Sequence, residues 1–250
     1  MKAYEETIKL LSTLKMKGIL SSLDTVINDA ERQKSSYITF VNDLLRAEIE
    51  ERKIRRLKRN MTAAHFPAEK RFESFEFGSI TGIGKSEAVN LLDCRWIDNA
   101  ENLLFFGPPG IGKTHLAISF GLNAVERGYT VCFERITNLM KVLKLSGIQR
   151  TADFRINRIL KSNVLIIDEI GYTPIDRKEA NLFFNLISEL YENTSIIITS
   201  NKSFDNWAEM LGDEVMTTAM LDRLLHHAKI FNLSGDSYRL KQKTKEKEVK

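Results

Sequence analysis

The sequence contains little cysteine and no long apolar run. Cys94 and Cys132 are its only two cysteines in 250 residues, and they lie far apart without a CxxC or Cys/His spacing. This excludes a disulfide framework and a zinc-finger type of site, and it fits a reducing cytoplasm. Glu5 and Glu6 stand where a signal peptide carries basic charge, and no segment approaches the ~20 apolar residues that span a bilayer. We therefore expect a cytoplasmic protein with no membrane partner.

The charge is mildly basic and unevenly distributed. The formal net charge is +4 at pH 7, which permits nucleic acid as a partner without establishing it. Lysines are frequent in the segment that follows Leu240. A denser basic cluster consists of Arg52, Lys53, Arg55, Arg56, Lys58 and Arg59. This cluster is a candidate for binding DNA phosphates with little sequence preference. The alternative is a solvated helix face whose charges pair with Glu48, Glu50 and Glu51.

The first part of the chain has the pattern of helices. Apolar residues near the N-terminus recur mainly at three- and four-residue steps and are interrupted by Gly18, which predicts two short amphipathic helices that separate at this glycine. A longer helix follows, capped by Ser35 or Ser36 and complete by Pro67. We expect a small all-helical N-terminal domain over residues 1–66.

Residues 67–250 have the pattern of an α/β domain, entered through the aromatic segment Phe72–Gly78. Apolar strands alternate with helical segments, as in a parallel sheet covered on both faces. The predicted strands are Asn102–Phe106, Thr130–Arg135, Val164–Ile167, Ser195–Thr199 and Ala228–Leu233. The predicted helices are Thr114–Arg127, Asn138–Leu160 with a break at Gly147, Arg177–Glu192, and Phe204–His226 with a break near Gly212. The expected fold is α/β with a five-stranded parallel sheet.

A phosphate-binding loop follows the first of these strands. The segment GPPGIGKT matches G-x-x-x-x-G-K-[ST] and lies between an apolar strand and an amphipathic helix, which is the context that confirms such a match. Its residues are Gly107, Pro108, Pro109, Gly110, Ile111, Gly112, Lys113 and Thr114. We expect the loop amides to surround the phosphates of ATP, Lys113 to reach the β and γ phosphates, and the Thr114 hydroxyl to bind Mg²⁺. The alternative is a glycine turn that merely joins strand to helix.

Two other groups of residues resemble functional signals. The segment Thr81–Ser86 (TGIGKS) imitates a phosphate loop, but Ser79 replaces the first glycine and no buried strand precedes it. We reject it and expect its last two residues to face solvent at the start of a helix. His115 adjoins the true loop and is a candidate for contacting the nucleotide. For His115, and for His226 and His227, which lack companion metal ligands in the sequence, we favour packing or polar contacts.

Polar residues end two further strands. Asp168 and Glu169 follow an apolar strand, at the carboxyl end where ligands bind open α/β sheets. We expect Asp168 to hold Mg²⁺ through its water shell and Glu169 to polarise the attacking water, which predicts ATP hydrolysis. The alternative for such a pair of acids is a helix cap. Asn201, after the next strand, either bridges the water and the γ-phosphate or forms an Asx turn.

Arg223 lies near the end of an amphipathic helix just before the last strand. It is a candidate arginine finger, a residue that one subunit of a homo-oligomer supplies to the phosphate bound by its neighbour. The alternative is a surface salt bridge with Asp222 or another acid.

Together these segments resemble the IstB-type transposition helper ATPases, an AAA+ family related to bacterial helicase loaders. The resemblance covers essentially the whole chain and rests on FESFEF, LLFFGPPGIGKTHLA, LIIDEIGYTPIDRKEANLFFNLIS, IIITSNKSFDNWAEMLGD and AMLDRLLHHAKIFNLSGDSYRLK. It implies an AAA+ fold with a helical N-terminal domain and no separate C-terminal lid. It also implies ATP-bound copies that assemble on double-stranded DNA and engage a partner transposase. Arg223 matches the family's arginine-bearing box, whereas Arg239 is only a candidate for a second-sensor arginine.

Two other functions stay open at this point. A helicase loader of DNA replication would share the ATPase module and differ in the partner of its N-terminal domain. A P-loop small-molecule kinase is the third possibility. Against the kinase, the pair of acids Asp168 and Glu169 suits the activation of water, and no acceptor-substrate pocket is identifiable.

Overall fold

A computed structural model of the chain describes residues 2–172 and 175–238, without the Ser79 side chain. The chain divides into two compact units, Met1–Arg59 and Asn60–Lys250. This division falls inside a long helix, a few residues before the domain boundary at residue 66 that the sequence suggests. Among the described residues, no helix combines the length and the apolar composition needed to cross a membrane.

Residues 2–59 form a helical unit. Its helices are α1 (Lys2–Thr13), α2 (Lys17–Gln33) and α3 (Tyr37–Ala64), of which the last residues of α3 belong to the second unit. Ser36 caps α3, because its Oγ accepts a hydrogen bond from the Thr39 N–H at 3.2 Å. Few side chains are buried here, and the apolar ones are Ile19 and Leu23.

Gly18 packs two helices together and does not separate them. The break between α1 and α2 lies at Lys15, whose backbone is left-handed with a φ of 56°, so the predicted break at Gly18 is wrong. Gly18 lies in the first turn of α2, where an added Cβ would come within 2.5 Å of the Ala47 carbonyl oxygen in α3. The missing side chain therefore lets the helices approach closely. The N–H groups of Gly18 and Ile19 donate to the buried Glu48 carboxylate at 2.7 and 3.3 Å.

Residues 60–238 form a unit in which strands and helices alternate. Its elements in chain order are β1 (Ile80–Thr81), α4 (Lys85–Leu91), α5 (Arg95–Asp98), β2 (Asn102–Phe106), α6 (Lys113–Glu126), β3 (Val131–Arg135), α7 (Ile136–Leu145), α8 (Arg150–Leu160), β4 (Val164–Ile170), α9 (Arg177–Leu190), β5 (Ser195–Ser200), α10 (Trp207–Leu211), α11 (Glu214–His226), β6 (Ala228–Asn232) and β7 (Ser234–Gly235). The predicted helix breaks at Gly147 and near Gly212 are confirmed, because α7 and α10 end just before these glycines.

Five parallel strands make the central sheet, in the order β3-β4-β5-β2-β6. All five predicted strands are present, which confirms the predicted α/β class. β2 and β5 are buried along their whole length, as expected for strands covered on both faces. β1 and β7 pair separately in antiparallel fashion. Because the five strands run the same way, their carboxyl ends meet at one edge of the sheet.

Alternate residues of β2 pack into opposite layers. Leu103 and Phe105 belong to one apolar cluster with residues of α6, and the Phe105 and Phe120 rings stack with centroids 6.1 Å apart. Leu104 and Phe106 join a second cluster with residues of α7 and α9. This is the two-residue period of a strand buried on both faces. This packing on both faces fixes the position of the end of β2, where the phosphate loop begins.

Candidate nucleotide-binding site

The phosphate loop joins β2 to α6 at the carboxyl edge of the sheet. Gly107, Gly110 and Gly112 have positive φ values of 142°, 84° and 102°, a curl that other residues rarely adopt. Gly112 also lacks room for a side chain, because an added Cβ would lie 2.5 Å from the Phe75 ring. The helix α6 begins at Lys113, so its first amides face the loop. The arrangement is suited to binding an anion.

Lys113 lies within the curve of this loop. The residue is 7% exposed, and its Nζ donates to the carbonyl oxygens of Gly107 and Pro108 at 2.7 and 2.8 Å. These hydrogen bonds offset the cost of burying the ammonium group. A phosphate would offer charged oxygens in place of neutral carbonyls, and charge-assisted hydrogen bonds are the stronger kind.

The structure brings together the two residues predicted to hold Mg²⁺. Asp168 in β4 is 1% exposed, and its Oδ1 accepts hydrogen bonds from the Thr114 hydroxyl at 2.8 Å and from the Thr199 hydroxyl in β5. A carboxylate and a hydroxyl beside a phosphate loop are oxygen ligands of the kind that Mg²⁺ prefers. The residues present therefore fit the ion. Thr199 is a neighbour that sequence reasoning missed.

Glu169 occupies an irregular stretch of β4. The strand extends past the predicted end at Ile167, and its register with β5 shifts between Ile167 and Ile170, so the two acids lie within the strand. Glu169 has a φ of 67°, and its N–H donates to Thr199 Oγ1 at 3.0 Å. Bulges and left-handed non-glycine residues cluster near functional sites, because they change the direction of a side chain.

Arg135 contacts Glu169 from the neighbouring strand, and sequence reasoning missed it. It ends β3, pairs in register with Asp168 of the neighbouring strand, and its Nε lies 3.5 Å from Glu169 Oε2. Both side chains are about half exposed, so the attraction between them is modest. The pair nevertheless places a cation beside the carboxylate that is expected to polarise water. The sequence signal that could have indicated Arg135 was a charged residue at the carboxyl end of a predicted strand.

A cavity of about 670 Å³ lies beside the phosphate loop, a size typical of small-molecule sites. The loop side of the cavity includes Pro109, Gly110, Ile111, Gly112, Lys113, Thr114, His115, Glu169, Thr199 and Ser200. The lining also includes Glu69, Lys70, Ser74, Phe75, Glu76, Ile80, Asp236 and Tyr238, which precede α4 or follow β7. The Tyr238 N–H donates to the Gly110 carbonyl at 3.0 Å, which ties the segment after β7 to the loop. Sequence reasoning did not assign these segments to the nucleotide.

His115 makes polar and packing contacts while it lines the cavity. Its Nε2 lies 2.9 Å from the Arg71 carbonyl oxygen, and its ring meets the Phe75 ring edge-on with centroids 5.2 Å apart. Burial lowers the pKa of His115, although the hydrogen bond to Arg71 opposes it. The imidazole is therefore neutral at neutral pH.

Asn201 follows β5 but is not among the residues that line the cavity. Its Oδ1 is buried and has no hydrogen-bond partner within the described part of the chain. This oxygen lies 2.7 Å from the position of a Cβ added to Gly171. Asn201 therefore packs beside the turn that follows β4, while Thr199 and Ser200 face the cavity.

Arg223 lies at the opposite edge of the sheet from the phosphate loop. Its Nη1 donates to the Ala219 carbonyl at 2.7 Å, and its guanidinium carbon lies 5.0 Å from the centroid of the Phe184 ring. Its neighbours include Asn102 and Ile196, at the amino ends of β2 and β5. Over residues 2–172 and 175–238 it forms no ion pair with an acid, and it does not line the cavity of its own chain.

The false phosphate loop Thr81–Ser86 ends at the start of α4. Lys85 and Ser86 are the first residues of this helix, and both are exposed. The expectation that they face solvent at a helix start is confirmed.

The basic cluster on α3 is partly neutralised by neighbouring acids. The ion pairs are Arg52 with Glu48 at 2.6 Å, Lys53 with Glu50 at 3.4 Å, and Arg55 with Glu51 at 3.2 Å. Arg56 and Arg59 are exposed and form no ion pair with any residue that the structure describes. Arg239 and the lysine-rich end of the chain lie outside the described residues.

Comparison with known proteins gives a consistent result. The profile of the family described as IstB-like ATP binding protein matches residues 9–246. The IS21 insertion-sequence ATP-binding protein of Pseudomonas aeruginosa is 39% identical over 236 residues, which cover 94% of this chain and 89% of that protein. The corresponding IS5376 protein of Geobacillus stearothermophilus is 42% identical over 219 residues, which cover 88% of this chain and 87% of that protein.

A solved structure, that of the DnaC helicase loader, resembles this chain in fold. The TM-score is 0.51 at 22% identity, over 71% of this chain and 99% of the other. At this identity the likeness concerns the fold alone. It agrees with an AAA+ P-loop architecture for the second unit.

Proposed function

This chain belongs to the family of IstB-like ATP binding proteins, and we propose that it is an ATP-hydrolysing helper of transposition. Copies of the chain bind ATP, assemble on double-stranded DNA, and recruit or stimulate a partner transposase while they hydrolyse ATP to ADP. The contact between Thr114 of the phosphate loop and Asp168, with Glu169 next to it, is the observation that carries the proposal. The insertion-sequence names of the relatives support the transposition context.

The loop and its lysine bind the triphosphate. The loop amides and the first amides of α6 donate to phosphate oxygens, and Lys113 exchanges the carbonyl oxygens of Gly107 and Pro108 for those of the β and γ phosphates. Thr114 and Asp168 would hold Mg²⁺. When bound, the ion neutralises charge that develops on the transferred phosphoryl group.

Glu169 acts on the water that attacks the γ-phosphate. Its carboxylate accepts a proton from that water as the new P–O bond forms and the bond from the γ-phosphorus to the oxygen of the departing ADP breaks. Arg135 pairs with Glu169 Oε2, so Oε1 is the oxygen available to the water. Asn201 is the proposed sensor of the γ-phosphate. A change in the turn after β5 has to bring its amide from the Gly171 side toward the cavity.

Arg223 completes a neighbouring subunit's site. Its position at the far edge of the sheet from its own phosphate loop supports action between subunits. The Phe184 ring and the Ala219 carbonyl hold the guanidinium in one orientation, which favours its use as a preorganised cation. Such a finger makes hydrolysis depend on a homo-oligomer.

The basic cluster of α3 binds the DNA backbone. Arg56 and Arg59 have exposed charges outside the intrachain ion pairs, so they are the members best able to neutralise phosphates. Binding of this kind carries little sequence preference.

A capture experiment combined with a phosphate-release assay tests this function. The purified chain is supplied with ATP, with and without duplex DNA, and offered either an insertion-sequence transposase or a replicative helicase. DNA-dependent capture of transposase and phosphate release without an added acceptor are the expected results. Capture of helicase alone would favour the helicase-loader alternative, and phosphate transfer only to an added acceptor would favour a kinase.

A further inference from the structure

Three metal-ligating side chains meet at the end of α11, far from the phosphate loop. Glu192, His226 and His227 each offer one ligand atom, and these atoms all lie within 4.8 Å of one another. We propose that these three residues form a binding site for a transition-metal ion of the Zn²⁺ type. Glu192 is distant from the two histidines in the sequence. The packing of α11 against α9 brings it next to them.

Local contacts orient these ligands toward one another. The His226 and His227 rings lie side by side, with centroids 4.0 Å apart. The Tyr191 hydroxyl lies 2.7 Å from His226 Nδ1, and Glu192 Oε1 lies 3.9 Å from the same nitrogen, so these two neighbours hold the ring in place beside the glutamate. Glu192 has a left-handed backbone with a φ of 59°, which is uncommon for a glutamate.

The donor set selects the kind of ion. Two imidazoles and one carboxylate form a set used for Zn²⁺, which leaves a fourth position for water. Mg²⁺ prefers oxygen ligands in octahedral geometry, so this cluster differs in chemistry from the pair of Thr114 and Asp168. The carbonyl end of α11 also favours a cation, because the helix dipole is negative there.

The site shares a helix with the proposed arginine finger. Arg223 precedes His226 by three residues on α11, a spacing that brings helical residues to one face. Glu192 and His227 line the same small cavity as Arg223 and Asn102, so the site lies at the amino edge of the sheet. Its occupancy can be measured in a chain whose nucleotide site is intact or inactivated.

Zn²⁺ titration of the metal-free full-length chain, carrying no added histidine tag, tests the proposal. Calorimetry should show saturable binding of one ion per chain that excess Mg²⁺ does not displace. Glu192→Gln, His226→Gln and His227→Gln should each weaken binding at least about tenfold. Since all three residues are exposed, folding should not change, and circular dichroism checks this.

His65, one of the two remaining histidines, provides a matched control. His65→Gln should bind Zn²⁺ like the unaltered chain, and so should Asp168→Asn, whose nucleotide site is altered. The thiols of Cys94 and Cys132 are buried, and they should not contribute. Absence of saturable binding, a stoichiometry of one ion per two chains, or an affinity in the three ligand variants equal to that of the unaltered chain would overturn the proposal. Failure of ATP hydrolysis in the unaltered chain would leave it standing.

Discussion

The two units of the chain are held together in different ways. In the first unit the buried apolar side chains are Ile19 and Leu23. The exposed apolar residues of α3 in this unit are Tyr37, Ile38, Val41, Leu45, Ile49, Ile54 and Leu57. In the second unit, two large apolar clusters include buried residues of the central strands. Because apolar burial is the main driving force for folding, the second unit has the larger share of stability. The first unit depends on a few specific contacts.

This difference shows where substitutions should act. Lys113, Glu169 and Arg223 are attached to a well-packed sheet and its helices, so changing them should alter chemistry and leave folding intact. Gly18 and Glu48 join α2 to α3 in a unit with a small core. Changing them should therefore weaken the packing of α2 against α3 and leave the ATP chemistry intact.

Loss of the loop lysine should have the largest effect. Lys113→Ala should abolish ATP binding, because the main cationic contact to the β and γ phosphates is lost. Glu169→Gln should retain binding but lower turnover by about 10² to 10⁴. Nucleotide titration and steady-state phosphate release measure the two properties, and thermal unfolding should match the unaltered chain. Normal turnover in Glu169→Gln would remove this residue from its role.

Removal of the proposed finger should have the next largest effect. Arg223→Ala should still fold and bind ATP, but hydrolysis should fall on the order of 10³, because the charge of the transition state loses its partner from the adjacent subunit. Steady-state phosphate release in the presence of DNA measures this loss.

A mixture of two inactive variants tests whether Arg223 acts between subunits. A Lys113→Ala subunit can lend its intact Arg223 to ATP held by an Arg223→Ala neighbour, so only the mixture contains complete sites. Activity above the sum of the separate variants is expected. If co-assembled subunits show no such gain, Arg223 has a structural role through Phe184 and Ala219.

A single methyl group should weaken the first unit. Gly18→Ala places a Cβ within 2.5 Å of the Ala47 carbonyl oxygen, and overpacking of this kind costs about 1–3 kcal/mol. Hydrogen exchange of α2 and α3 amides in the full chain should speed up, while ATP affinity stays unchanged. Thr25→Ala, an exposed change in the same helix, is the matched control. Unchanged exchange in Gly18→Ala would contradict the close packing of these helices.

Acid should weaken the same contact through Glu48. Burial alone would raise the pKa of Glu48, but hydrogen bonds from Arg52 and from the amides of Gly18 and Ile19 outweigh it and lower the pKa. A lowered folded pKa contributes stability above the unfolded value, about 4.3 for glutamate, and this contribution disappears as the pH falls through the folded pKa.

The substitution Glu48→Gln isolates this contribution. It should destabilise the first unit by about 1 kcal/mol near neutral pH, the usual worth of a helix cap. The difference from the unaltered chain should vanish in acid. Hydrogen exchange of α2 amides at both pH values measures it, with the exposed Glu50→Gln as control. A difference that is constant with pH would show that the charge of Glu48 is not responsible.

Patterns along the chain predicted the second unit well, because strand periodicity and the loop motif each depend on local residues. The strands and the sheet edge that carries the loop follow from them. Arg135 and Thr199 were missed since their roles arise from the placement of β3 and β5 on either side of β4, which chain order does not reveal. Glu192, the third residue of the proposed metal site, was missed because its place beside His226 depends on the packing of α11 against α9. Gly18 was misread because helix breaks and close helix packing both favour glycine.

The smallest effect should come from exposed charges on α3, where the first unit is proposed to meet DNA. Arg56→Gln combined with Arg59→Gln should weaken binding to any duplex severalfold, because two phosphate contacts are lost. The slope of log K against log salt should become shallower by about 2. Binding titrations across a salt series, with duplexes of unrelated sequence, measure both quantities.

Two other arginines of the basic cluster form ion pairs and provide a comparison within it. Arg52 pairs with Glu48, and Arg55 pairs with Glu51. Arg52→Gln combined with Arg55→Gln removes the same formal charge as the Arg56 and Arg59 variant does. Neighbouring carboxylates already offset that charge, so the salt slope should change less than in the Arg56 and Arg59 variant. Equal effects would mean that net charge alone attracts DNA. No effect in either variant would return the cluster to a solvated helix face and move DNA binding to another surface, while the ATP site of the second unit would keep its assignment.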